Sequence, residues 1–411
     1  MAFTGRRVLI IVENLPVPFD RRVWSEATTL QKAGYEVSVI CPKGRGATAS
    51  HEVIQDIHIY RHPHPLEAAG AIGYALEYGS ALLFEFLLSL KVWWQRGFDV
   101  LHACNPPDTI WLIGGFYKLF GKRFVFDHHD INPELYEAKF GHRGAFWKLM
   151  VWLERMSFRV ADRSIATNES YRAIAIERGG MDPDKVHVVR SGPNLARVRE
   201  VPPDPKWKNG RAHLVGYVGV IGHQEGLDLL LDAADHVVNG RKRGDVQFVI
   251  CGDGPALAEI RADAEARGLA DHVTFTGRCS DEDLFSALST ADVCVNPDRP
   301  CEMNDKSTMN KIMEYMALGK PIVQFDLKEG RFSAREASLY ASCTDTDEFG
   351  DKIVELLDDP DRRAAMGRFG RERVHSQLAW THEAPKLLEA YEMVFNPGRA
   401  EARQESFSQP R

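Results

Sequence analysis

Along nearly the whole chain, short apolar runs alternate with longer helix-like stretches, and the alternation pauses once before it restarts. The first set of runs is Val8–Val12, Val37–Ile40, Phe98–Leu101, Phe124–Phe126, Arg163–Thr167 and Val186–Val189. After a polar, proline-bearing stretch from Ser191 to His213 come Leu214–Val218, Val246–Ile250, Val273–Thr276, Val293–Asn296, Pro321–Phe325 and Leu339–Ala341. A strand that is apolar throughout, rather than at every second residue, is covered on both faces, as crossover helices cover a parallel sheet. The pattern predicts an α/β chain of two Rossmann-like, doubly wound parallel-sheet domains facing each other across a ligand-binding cleft. The boundaries expected are 1–192 for the first domain, 193–212 for a linker, 213–375 for the second, 376–395 for a final helix and 396–411 for a polar tail.

Charge and cysteine usage narrow the functional classes. With 51 Lys and Arg against 58 Asp and Glu, the net charge of -7 gives no basic footprint for displacing counterions from nucleic acid. The seven cysteines are odd in number and never form a C-x-x-C pair, so neither a disulfide framework nor a zinc site is expected. The apolar run after Arg7 ends at Glu13 and is shorter than a signal-peptide core, which points to a cytoplasmic location. Residues 70–94 are apolar, but Glu77, Glu85 and Lys91 interrupt any uncharged span. A helix packed on a sheet is one reading; an aromatic face of Tyr74, Phe84, Phe86, Trp93 and Trp94 resting on the inner membrane is the other. The stretch from Phe146 to Phe158 repeats the choice.

Three segments carry candidate chemistry. Gly219-Val-Ile-Gly-His-Gln-Glu-Gly226 follows a predicted strand and opens a helix, where glycine lets backbone N–H groups approach an anion. Gly222, His223 and Gln224 are therefore candidate phosphate contacts, a tight turn being the plain alternative, and Gly252-Asp-Gly-Pro255 offers the same choice. In Asn304-Asp-Lys-Ser-Thr-Met-Asn-Lys-Ile-Met-Glu314, Ser307 or Thr308 is suited to N-cap a helix whose start holds a diphosphate. Lys311 and Glu314, three apart, share a helical face: one supplies a point charge and the other two acceptor oxygens for a ribose. The plain alternative is an ion pair on a solvated helix. Asp281-Glu-Asp283 reads as an N-cap with first-turn acids, so no metal site is expected there.

Taken together, Val8 to Pro42, Phe126-Asp-His-His-Asp130, Gly252 to Pro255, Val273-Thr-Phe-Thr-Gly277 and Met313-Glu-Tyr-Met-Ala-Leu-Gly-Lys-Pro-Ile322 resemble the bacterial glycosyltransferase family 4 enzymes of GT-B fold, in their exopolysaccharide-type branch. The resemblance implies that the second domain holds a nucleotide diphosphate sugar, that the first holds a saccharide or lipid-linked saccharide acceptor, and that the last helix returns to the first domain. It implies a retaining transfer with no metal and no cofactor, in which the leaving diphosphate takes the acceptor proton. Glu314 matches the family's ribose-binding glutamate. The earlier glutamate of that motif is replaced by Lys306, so Asp305, Glu302 or the backbone amides of Thr308 and Met309 would have to contact the sugar, unless that contact is lost. Val220 and Glu225 stand where relatives carry pyrophosphate-binding cations, which leaves Lys311 and Arg331 as the preferred substitutes.

His129, flanked by Asp127 and Asp130, matches the histidine beside the reacting sugar. Asp20, Arg21 and Arg22 match a loop that touches the diphosphate or acceptor, a charge cluster at a helix start being the alternative. Arg278 matches a position whose backbone meets the nucleobase. The rival expectations are a nucleotide-sugar 2-epimerase of the same fold and a catalytically silent nucleotide-binding scaffold.

Overall fold

The computed structural model describes residues 5–44, 46–63 and 70–396, with side chains in the last stretch from 79 onward. The Tyr74 side chain and the tail after 396 lie outside the described residues. The chain divides into two compact units: Gly192–His382 with Ala138–Gly141 form one, and Met1–Glu137, His142–Ser191 and Glu383–Arg411 form the other.

The first unit holds an eight-stranded sheet of β1 (Arg7–Ile11), β2 (Glu36–Pro42), β3 (His51–Ile54), β4 (Ile57–His62), β5 (Val100–Cys104), β6 (Arg123–His128), β7 (Arg163–Ala166) and β8 (Val186–Val188), in the order β3-β4-β2-β1-β5-β6-β7-β8. Every pairing is parallel except β3 with β4. That hairpin is absent from the sequence expectation because His51–His62 is largely polar and lacks an apolar run. Its turn uses Gln55 and Asp56 at φ 50° and 61°, the left-handed pair that a two-residue hairpin loop needs. The second unit holds a parallel six-stranded sheet of β9 (His213–Val218), β10 (Val246–Cys251), β11 (Val273–Gly277), β12 (Val293–Asn296), β13 (Ile322–Phe325) and β14 (Ser338–Ala341), in the order β11-β10-β9-β12-β13-β14.

Strand order reverses between β1 and β5 in one sheet and between β9 and β12 in the other. At such switch points the loops leaving the carboxyl ends of neighbouring strands diverge and open a crevice. The relevant helices are α1 (Arg21–Lys32), α2 (Gly70–Gln95), α3 (Trp111–Lys118), α4 (Ala145–Val160), α5 (Leu227–Asp235), α6 (Asn310–Ala317) and α7 (Trp380–Phe395). Asp20 caps α1 by accepting from the Val23 amide at 3.0 Å, and Val23, Ala27 and Leu30 form its buried stripe. Fully burying a valine or leucine side chain contributes roughly 1.5–3 kcal/mol, so this stripe fixes how α1 presents its first turn. In α2 the polarity is reversed: Ala81, Glu85, Ser89 and Val92 are buried, while Leu83, Leu87 and Trp94 face solvent. Among the described residues no helix is long and apolar enough to cross a membrane.

Candidate active site

In the first unit, side chains from α1, β5, β6 and α7 converge below the β1/β5 switch point. Arg22 donates through Nη2 to Asp127 Oδ1 at 2.9 Å and through Nε toward Oδ2 at 3.3 Å. Its Nη2 also meets Glu26 Oε1 at 3.1 Å, and Nη1 donates to the Val189 carbonyl at 2.8 Å and to Ser191 Oγ at 3.2 Å. Burial disfavours the Asp127 carboxylate, but Arg22 and His129 outweigh burial and hold its pKa well below the ordinary range. Burial and the adjacent Asp127 charge push Glu26 the other way, well above the ordinary range, with Arg22 opposing. The cluster is therefore one cation, one anion and one neutral acid. Ligand-type atoms of Glu26, His102, Cys104 and Asp127 lie within 4.8 Å of one another, a spacing that suits a metal ion. The Arg22 guanidinium already supplies the positive charge there.

Above this cluster sits the loop after β6. His129 Nε2 lies 2.6 Å from Asp127 Oδ2 and 2.9 Å from Arg22 Nε. A carboxylate oxygen can only accept, so the 2.6 Å contact uses a proton on Nε2, and the Arg22 Nε–H, directed at Nε2 from 2.9 Å, is shared with Oδ2 at 3.3 Å. Among the described residues no hydrogen bond engages the Nδ1 edge of the ring. Asn105, at the end of β5, fixes the loop backbone: its Oδ1 accepts from the amides of His129 at 2.7 Å and Asp130 at 3.2 Å, while its Nδ2 donates to the Asp130 carbonyl at 2.6 Å and to Asp108 at 2.9 Å. Asp108, which also accepts from Asn132 at 2.6 Å, is pushed up to about 7 by burial. His128 is a core residue, 3.3 Å from Glu154 and packed against Phe158 and Tyr171.

In the second unit the loops after β9 and β12 meet at the other switch point. A Cβ on Gly226, at φ 67°, would stand 2.2 Å from the Pro297 carbonyl, so only glycine lets these loops close. Asn304 Nδ2 ties them further, donating to the Gln224 carbonyl at 2.9 Å and the Arg299 carbonyl at 2.8 Å. Lys311, in the first turn of α6, donates to Asp298 at 2.8 Å and to the Tyr217 hydroxyl at 3.4 Å. Burial works against its charge, but Asp298 more than offsets burial and the ammonium pKa lies above the ordinary lysine value. Burial pushes Tyr217 up to about 12 and also raises Glu225. The N-cap of α6 is Met309, whose side chain makes no capping hydrogen bond. The first N–H groups of that helix are therefore left without a side-chain cap from Met309.

One family model, described as "Glycosyltransferase Family 4", matches residues 20–197, and a second, "Glycosyl transferases group 1", matches residues 212–359. Together they cover most of the chain and divide it near the boundary between the units. Residues 20–197 are thus a glycosyltransferase family 4 domain, and residues 212–359 a glycosyl transferases group 1 domain. This glycosyltransferase is 34% identical to an alpha-D-kanosaminyltransferase of Streptomyces kanamyceticus over 37% of its own length and 38% of the relative's. It is 33% identical to a GDP-mannose-dependent alpha-(1-6)-phosphatidylinositol monomannoside mannosyltransferase of Mycobacterium tuberculosis over 40% of its length and 44% of the relative's. Each of these alignments spans under half of the named relative. The fold is that of the sucrose-phosphate synthase of Thermosynechococcus elongatus, with a TM-score of 0.74 at 19% identity over 95% of this chain and 100% of the other. The GT-B expectation for the fold therefore holds.

Several residue expectations for this glycosyltransferase need correction. Arg22 is no ligand contact, because all its donors are directed into the buried cluster; Arg21 beside it is exposed and Asp20 serves as a cap. Neither Ser307 nor Thr308 caps α6, since Glu302–Lys306 forms a separate short helix that ends at Ser307. Arg331 is committed to Asp326 through two 2.6 Å contacts and lies over the Tyr340 ring, so it is not a second cation beside Lys311. Lys306 pairs with Glu302, and Asp305 accepts from the Lys328 amide at 2.8 Å. Glu314 is buried and meets Arg197 at 3.4 Å, a partner supplied by the segment expected to be only a linker. Arg278 and His223 are exposed, Gly222 precedes the turn His223–Glu225, and Asp130 accepts from Asn14 at 3.3 Å. Sequence reasoning missed His102, Asn105, Asp298 and Tyr391 because each lies inside an apolar or polar run with no motif around it, and it gave Asn304, at the head of the quoted donor segment, no role of its own.

Proposed function

We propose that this protein is a retaining, metal-independent glycosyltransferase that moves a sugar from a nucleotide diphosphate sugar to a saccharide carried on a lipid, in cell-surface glycan synthesis. The observation that carries the reading is the uncapped N-terminus of α6, placed at the β9/β12 switch point with Lys311 and Glu314 on its first turns. Backbone amides of α6 and of Gly222–Gln224 hold the diphosphate, and Lys311, with two of its three donors given to Asp298 and the Tyr217 hydroxyl, offers it the third. Glu314 accepts from the ribose hydroxyls. His129, oriented by Asp127, presents Nδ1 to the reacting sugar and favours the positive charge that develops on it. The two named relatives support a glycosyl donor and, in the mannosyltransferase, a lipid-borne acceptor. Lipid contact is further supported by the face described for α2.

The test is a thermal-shift screen of nucleotide diphosphate sugars, followed by transfer assays with the one that binds. A donor present at a hundred times its Kd raises stability by about 2.7 kcal/mol. Lys311→Ala and Glu314→Ala should then lower kcat/KM at least about tenfold in the presence of a chelator, with the product's anomeric configuration unchanged from the donor's by NMR. Wild-type rates in both variants would remove the site assignment, and an inverted product would remove the retaining mechanism.

A further inference from the structure

Two buried groups behind His129 belong to neither the family motifs nor the donor site. Tyr391, on α7, places its hydroxyl 2.7 Å from His102 Nδ1, and His102 Nε2 lies 3.3 Å from Asp127 Oδ2, the same oxygen that meets His129 Nε2 at 2.6 Å. Tyr391 and His102 are fully buried, with the tyrosine ring edge-on to Tyr35 at 5.6 Å. Burial lowers the pKa of His102 and raises that of Tyr391 well above its ordinary value, so the imidazole is neutral and the phenol keeps its proton. A neutral imidazole has one donor and one acceptor nitrogen. With a phenol donating to Nδ1, the only N–H left is at Nε2, and it points at Asp127. Were the proton on Nδ1 instead, the Nε2 lone pair would oppose the carboxylate.

We propose that Tyr391 and His102 are positioning residues: the Tyr391 hydroxyl fixes the tautomer of His102, His102 orients the Asp127 carboxylate, and Asp127 thereby sets which nitrogen of His129 faces the sugar. This rests on the assignment of His129 to the reacting sugar. It makes the final helix part of the site's chemistry, since the chain of hydrogen bonds begins on it.

The experiment is nitrogen-15 NMR of the histidine rings in the full chain, joined to kinetics. In wild type, His102 and His129 should both be Nε2–H tautomers. Tyr391→Phe keeps the ring packing and removes only the donor; it should bring in the Nδ1–H form of His102, mix the His129 tautomers and lower kcat roughly tenfold with KM for the donor unchanged. His102→Gln keeps a donor toward Asp127 and has no tautomer to lose. In that background Tyr391→Phe should have no further effect on His129, a non-additivity that a purely structural role would not produce. If Tyr391→Phe alone unfolds the chain, the comparison of His102→Gln with and without Tyr391→Phe decides. Unchanged His129 tautomers in Tyr391→Phe, or equal shifts in both backgrounds, would overturn the proposal. Full activity of His129→Ala would instead overturn the assignment of His129, and the tautomer coupling would still be readable.

Discussion

Arg22 and Asp127 illustrate how much a buried pair depends on both members. Each is taken out of water, at a cost of several kcal/mol per ion, and the bidentate contact with its extra carbonyl and hydroxyl acceptors offsets that cost. Removing one partner leaves the other's charge uncompensated. Asp127→Asn is expected to destabilise the protein by about 3–5 kcal/mol, measured by urea unfolding at pH 7. Because the folded pKa of Asp127 is depressed, the carboxylate's contribution is complete above its ordinary value and disappears as the pH falls through the folded one. The deficit of the variant should accordingly shrink in acid. A deficit that does not change with pH would mean that packing, and not charge, explains the loss.

At the scale of one element, α2 turns its carboxylate inward. Among the described residues neither oxygen of Glu85 has a hydrogen-bond partner, and burial pushes its pKa well above the ordinary range, with Glu13 adding to the shift. A raised folded pKa means that the neutral acid's stability is complete below the ordinary carboxylate value and is lost as the pH rises through the folded value. Glu85→Gln removes the titration while keeping the shape. The variant should match wild type near pH 4 and be more stable near pH 8, with Tm rising about 2–4 °C per kcal/mol gained. Equal melting curves at both pH values would show that Glu85 does not titrate against folding. The helix caps argue in the same physical terms. Asp20, Asn168, Ser280 and Asp345 each close a helix start with a side-chain acceptor, and α6 does without one. An uncapped start at a switch point is a cost that a bound anion can offset.

For the molecule as a whole, the exposed apolar face is the feature most relevant to where it works. Trp93 meets Phe120 at 4.9 Å and Phe86 meets Phe116 at 5.1 Å, joining α2 to α3, and Trp111 meets Trp152 at 6.1 Å, joining α3 to α4. Of the aromatic rings named from the sequence, Phe86 and Trp93 are therefore spent on helix packing, and Phe84 stacks on His62 at 6.0 Å. The residues left outward are Leu83, Leu87, Leu119, Phe120, Trp152 and Trp94, the last 87% exposed. On the lipid contact proposed above, leucine with tryptophan on a helix face is the surface that a bilayer would take up. Vesicles containing anionic lipid should co-sediment the protein, and Trp94→Ser combined with Leu119→Ser should reduce the bound fraction several-fold at unchanged Tm. Equal binding by the variant would place lipid contact elsewhere or nowhere.

Period and punctuation in the sequence determined the two parallel sheets and most of their strands, because a strand buried on both faces must be apolar throughout whatever it later contacts. They also put Lys311 in the first turn of a helix and His129 in the loop after a strand, which is where the structure has them. They could not reveal that Arg22 would be used up internally, that Arg197 would reach Glu314, or that Tyr391 would stand behind His129. Those pairings join residues 105, 117 and 289 positions apart along the Arg22–Asp127, Arg197–Glu314 and His102–Tyr391 contacts. Local pattern constrains backbone and burial, whereas the partner of a buried polar group is decided only when the folded sheet brings distant strands and the last helix side by side.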